Sequence, residues 1–297
     1  MAIQDEDFRR QSDRSVDNLR SLYAVLFGLS FGLTLTGTYD KVHGALVGQS
    51  YDGGSLALHG LVTLSFVVTL SLFHYQIDRY MDVVYRRTGL REVRPPIFLL
   101  DLVRGLLAMA PIYLVAQSLG AVPFRQVGFT WYVLAASLFL VSNTLFLSWP
   151  GPRRRLASGE APDPVDARMD ALRVFWLLLN STCMLLLFTI YHLFRAAGEV
   201  CPARGEVGLQ VGFVAAFALV LLARDMVDIS QSWPVLHPAT PGSESTAPGR
   251  ILVWLARPDR RRWIRAAAIV LAIATIALAA NARLLDILAV TRNCVTP

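Results

Sequence analysis

The 297-residue sequence is 54% hydrophobic and only 17% charged, with a formal net charge of +6 and a mean hydropathy of +0.47. A soluble domain carries roughly 25% charged residues, so the composition excludes an ordinary globular fold and points to a membrane. The surplus of positive charge does not call for nucleic acid, because the arginines are grouped in particular loops, where they report topology.

Crossing roughly 30 Å of hydrocarbon at 1.5 Å per residue takes about 20 apolar residues. Seven stretches qualify, at about 19–38, 55–76, 97–118, 129–149, 172–194, 207–228 and 265–284. Runs this long and continuous satisfy their own backbone hydrogen bonds as helices, and the alternating strands of a barrel do not fit them. The expected fold is an all-α integral membrane protein, a seven-helix transmembrane bundle over 19–290 with short tails at 1–18 and 291–297.

Residues 1–18 mix acids and arginines and lack an apolar leader with a cleavage site, so the first span is expected to act as its own uncleaved signal. That span carries Gly28, Gly32 and Thr36 at four-residue spacing, a small-residue stripe expected to pack inside the bundle. The second span ends in His74-Tyr-Gln-Ile-Asp78-Arg-Tyr-Met-Asp82, which puts His74, Asp78 and Asp82 on one helical face. Pro95 and Pro96 open the third span, which holds Asp101 and Arg104 in its first two turns. The fifth span carries Asn180, Ser181, Thr182 and Cys183 at mid-depth, and the sixth closes on Arg224, Asp225 and Asp228. Residues 229–263 form a linker whose centre is Pro, Ser, Thr and Gly, and Arg250–Trp263 reads as an amphipathic segment lying on the membrane surface.

Lysine and arginine alternate by loop. With Arg20, Arg173, Arg265 and Arg283 at the span ends counted to the adjoining segments, the N-terminal tail and the second, fourth and sixth loops hold 4, 5, 5 and 6, against 1, 1, 2 and 2 for the other loops and the C-terminal tail. By the positive-inside rule the N-terminus and residues 77–96, 150–171 and 229–263 are cytoplasmic and the C-terminus is outside, which requires an odd number of spans. The use of arginine almost to the exclusion of lysine suggests a GC-rich bacterium and hence the bacterial inner membrane.

Under this topology His74, Asp78, Asp82, Asp101, Arg104, Arg224, Asp225 and Asp228 share the cytoplasmic ends of the second, third and sixth helices, as an ion- or solute-binding vestibule or as helix-end ion pairs. Arg104, about 10 Å into its helix, is expected to pair with Asp225 or Asp228. His74 with Asp78 offers a minimal metal reading. Cys201 and Cys294, both placed outside, are expected to form a disulfide. The triplet Asp78-Arg79-Tyr80 resembles the one that closes the third helix of G-protein-coupled receptors, but here it closes the second, so no family is assigned.

The expected function is a channel, a permease or a subunit of one, with no cofactor. The alternatives are a metal-assisted intramembrane lipid hydrolase or transferase, and a structural or sensing subunit. The partners are the lipid bilayer and a second copy or a membrane complex, not nucleic acid. A periplasmic reporter should be silent when fused after Arg155 and active after Thr296; the reverse pattern refutes the orientation.

Overall fold

The computed structural model describes residues 2–48, 53–87, 95–120, 139–144, 164–197, 207–237, 250–255 and 257–281. These are almost wholly helical: α1 (Ala2–Leu46), α2 (Gly53–Met81) with a π-helical continuation (Asp82–Arg87), α3 (Pro95–Gly120), α4 (139–144), α5 (Pro164–Ala197), α6 (Val207–Leu236), α7 (Arg250–Leu255) and α8 (Pro258–Asn281). Among the described residues, three stretches are long and apolar enough to cross a membrane: Asp13–Gly44 of α1, Leu56–Met81 of α2 and Ala167–Ile190 of α5. A shorter apolar helix, Gly105–Gln117, lies within α3.

The helices pack in the order α3, α1, α2, α6, α5, α8, with α7 against α5 and α8. Side-chain contacts give the direction of each neighbour. Arg20 meets Asp78, Phe27 meets His74 and Thr38 meets His59, so α1 and α2 are antiparallel. Ser65 donates to the Ala218 carbonyl, Thr69 to Asp225 and Gln76 to Ser232, so α2 and α6 run parallel. Trp176 meets Asp228 and Asn180 meets Arg224, which makes α5 antiparallel to α6.

A main apolar core joins the first six helices, with Val62, Leu70, Ile112, Leu119, Leu140 and Phe217 almost wholly buried. A second cluster gathers Val83, Leu172, Val235, Leu236, Leu252 and Leu255. It explains why α7 forms. Leu252 and Leu255, three residues apart and therefore on one face, turn inward against α5, while Ile251, Val253 and Trp254 stay exposed.

Three features depart from the sequence reading. First, the 1–18 segment is helical and continuous with the first span as α1 from Ala2, and Val16 and Leu19 continue its buried face. Second, α6 runs past residue 228 to Leu236, because Ser232, Val235 and Leu236 repeat at helical spacing and are buried. Third, Gly28 and Gly32 are exposed, with open space where a side chain would stand, and Thr36 is exposed with them. The stripe therefore does not line the bundle interior. The buried face of α1 runs through Val16, Leu19, Tyr23, Ser30 and Thr34, and Gly28 and Gly32 lie two residues from Ser30 and Thr34, about 200° around the helix.

The close approach is made by another glycine. A Cβ at Gly105 of α3 would run into the Tyr23 hydroxyl and ring, so α1 and α3 touch there without room for a methyl group. Gly105→Ala should cost about 1–3 kcal/mol, the usual penalty of overpacking, read as a lower melting temperature in detergent. Adding Tyr23→Val should recover part of the loss. A melting temperature unchanged by Gly105→Ala refutes this packing.

Candidate functional site

About two to three turns before its end, α6 places a guanidinium and two carboxylates after a long apolar stretch. Arg224 and Asp228 are four residues apart and Asp225 and Asp228 three, so all three side chains converge on the side facing α2 and α5. They are buried: the Arg224 side chain is 9% exposed, and Asp225 and Asp228 are at 0%.

Burial of a charge costs several kcal/mol unless partners satisfy it, and here they come from three helices. Arg224 Nη1 lies 2.5 Å from Asp225 Oδ1, and Nη2 lies 3.4 Å from Asp228 Oδ2. From α5, Asn180 Oδ1 accepts from Arg224 Nε at 3.1 Å and from Nη2 at 3.0 Å. Trp176 Nε1 donates to Asp228 Oδ1 at 2.7 Å. From α2, the Thr69 hydroxyl donates to Asp225 Oδ2 at 2.5 Å. Asp228 Oδ2 is left with its charge contact to Arg224 and no hydrogen bond. Cys183, a buried free thiol on the same stretch of α5, lies within electrostatic reach of Arg224 and Asp225.

Thr69 also borders a cavity of about 20 Å³ whose other lining is apolar: Phe66, Leu70, Ile112, Val115, Phe139 and Leu221. That is room for about one water molecule. The charged centre thus abuts a small void between α2, α3, α4 and α6.

The remaining candidates form a separate group. Asp78 lies nine residues beyond Thr69, about 13 Å further along α2, and takes a 2.5 Å contact from Arg20 Nε of α1. Asp17 stands 3.8 Å from the same guanidinium, and Asp82, opening the π-helical turn, adds its charge nearby. His74 packs edge-on against Phe27, ring centres 4.5 Å apart. So the second and sixth helices contribute to two sites at different levels, not one vestibule at a common depth. Of the two donors in the metal reading, Asp78 is engaged by Arg20, and among the described residues no group of three His, Cys, Asp or Glu could hold a metal ion.

The side chains of Asp101 and Arg104 lie outside the described residues, as do Cys201 and Cys294, so the expected Arg104 pairing and the disulfide are not addressed by the structure. The acids expected to meet Arg104 are engaged by Arg224, Thr69 and Trp176.

Sequence reasoning missed Thr69, Trp176 and Arg20, and noted Asn180 only as a mid-depth polar residue. The signal lay in α5, where Trp176, Asn180 and Cys183 repeat at four and three residues along one face. The chain matches no protein-family model, no curated protein and no solved structure.

Arg224→Met should strand two buried carboxylates and cost about 3–5 kcal/mol, the range for breaking a buried pair from one side. The triple variant with Asp225→Asn and Asp228→Asn should recover much of that, because no unpaired charge remains. Thermal unfolding in detergent measures both, and a triple variant no better than Arg224→Met refutes the account.

Proposed function

We propose that this chain is a multi-pass protein of the bacterial inner membrane that works as a channel, a permease or a subunit of one, with Arg224, Asp225 and Asp228 as its binding site or gate. The observation that carries the reading is the centre itself: a guanidinium and two carboxylates, nearly or fully shielded from solvent, following a long apolar stretch of α6. Ionisable groups are expensive within a membrane-spanning helix and characteristically mark ion or solute pathways there.

The helix directions are compatible with seven spans. Parallel α2 and α6, with α5 antiparallel to α6, are what the second, fifth and sixth members of an alternating series require. With the arginine-rich loops inside, the Arg20–Asp78 pair stands at the cytoplasmic surface. The charged centre then lies deeper, sealed from the cytoplasm by the side chains that follow it on α2 and α6.

The gate would be the α5–α6 seam. Separating it breaks the Trp176–Asp228 and Asn180–Arg224 hydrogen bonds while leaving Thr69 on Asp225, so α2 and α6 stay together as α5 moves. An ion or an anionic solute entering there would meet Arg224 or the freed carboxylate. A second reading, a structural or sensing subunit, draws on the near-complete pairing of the centre by the protein's own groups.

Flux separates the two. Purified protein in proteoliposomes should pass protons, monovalent cations or inorganic anions faster than empty vesicles. Asp228→Asn should lower the rate at least about tenfold, since a hydrogen bond to a charged group is worth about 1.5–3 kcal/mol and roughly 1.4 kcal/mol is tenfold. Folded protein without flux of any of these refutes the transport reading and leaves the structural one.

A further inference from the structure

The charged centre does not balance. It holds one guanidinium and two carboxylates, so with all three ionised it carries a net charge of −1 where the acids have no exposure to solvent. The groups facing it do not supply the missing charge. On α2 they are the Thr69 hydroxyl and, further along, Tyr75, Gln76 and Arg79; Gln76 is spent on Ser232 and Arg79 lies over the Tyr75 ring. On α5 they are Trp176, Asn180 and Cys183, with Arg173 a turn away donating to the Tyr80 hydroxyl. The described residues therefore leave Arg224 as the cation in contact with both acids.

The hydrogen bonding shows where the extra positive charge belongs. Both oxygens of Asp225 accept a hydrogen bond, from Arg224 and Thr69, and Asp228 Oδ1 accepts from Trp176. Asp228 Oδ2 alone is buried without a hydrogen bond. Its one neighbour among the described charges is Arg224 Nη2 at 3.4 Å, and one oxygen without a hydrogen bond is too few for a metal cation, which takes about four or more ligands, but a proton needs only one.

We infer that Asp225 and Asp228 together bind one proton, and that this proton is the ion the gate handles. The proton belongs to the pair, as in any two carboxylates coupled through a shared neighbour. Uptake converts the centre from −1 to neutral and keeps the hydrogen bonds already made, while weakening one of the two ion contacts to Arg224. Release leaves an uncompensated anion in an apolar interior, which favours opening the α5–α6 seam to water. No other bond is made or broken. The inference rests on the transport reading only for what the proton does, not for its presence.

Infrared difference spectra of the full chain in lipid, titrated through neutral pH, test it. The expected result is a carboxylic-acid C=O band that shifts in heavy water and with aspartate labelled at the carboxyl by heavy carbon. It should disappear in Asp228→Asn and persist in Asp78→Asn. Absence of the band, a band that aspartate labelling does not shift, or one that survives in both Asp225→Asn and Asp228→Asn overturns the site; so does its loss in Asp78→Asn. If the centre's variants do not fold, the labelled wild type and Asp78→Asn decide alone by the same criteria. A band without flux keeps the proton and removes the transport reading. Flux without the band does the reverse.

Discussion

The constraint on which the rest depends is the burial of Arg224, Asp225 and Asp228 within an apolar bundle. Each ion removed from water loses several kcal/mol of solvation, and the helix that carries them cannot compensate all of it alone. Thr69 from α2 and Trp176 and Asn180 from α5 supply the rest of the bonding, all but one oxygen of Asp228. Because each contact fixes a turn of one helix against a turn of another, satisfying the charges also sets the register of α2, α5 and α6. Apolar packing is a weak guide to register between helices surrounded by lipid, where leaving a neighbour for lipid tails costs little. Polar satisfaction is the stronger one.

Around this centre lies a second tier of contacts between the helices. Arg20–Asp78 joins α1 to α2, Arg173–Tyr80 joins α5 to α2, Gln76–Ser232 joins α2 to α6, and Asp170–Arg265 joins α5 to α8. Tyr75, Trp233 and His237 stack in one group, with Trp233 and His237 ring centres 4.3 Å apart. Of the two ion pairs in this tier, Arg20–Asp78 is roughly a quarter exposed on each side. Contacts that reach water add modestly to stability and tolerate exchange of partners. The same chemistry thus has different weight by depth: an Arg–Asp pair near the surface aligns helices, whereas one in the interior determines whether they assemble.

The two seams of α6 are unlike one another. Against α2 it makes hydrogen bonds at three levels, through Ser65, Thr69 and Gln76. Against α5 the described hydrogen bonds gather at one level, around Trp176 and Asn180, with apolar contacts above and below. A protein that moves by sliding or tilting whole helices gives way where the fewest directional bonds must break together. The arrangement therefore joins α2 and α6 as a unit, with α5 held to it around the centre and by Arg173 on Tyr80.

The sequence by itself determined that the chain is helical and apolar enough for a membrane, and roughly where its helices run, because helix and hydrophobicity are local: twenty apolar residues cannot satisfy their backbone in lipid otherwise. It also singled out Arg224, Asp225, Asp228 and Asp78, since charges stand out against an apolar background. What the tertiary structure alone decided was which of these meet. Hydropathy ends the sixth span at residue 228, which puts the acids near water, but α6 continues to Leu236 and α2 and α5 close over them. Asp78 goes to Arg20, about 13 Å along α2 from Thr69, and the glycine stripe of α1 faces away from the bundle. Neutral partners such as Thr69, Trp176 and Asn180 carry no sequence signal strong enough to separate them from ordinary membrane-helix residues. Their role exists only through the rotation and depth of one helix against another, and those are properties of the packed bundle.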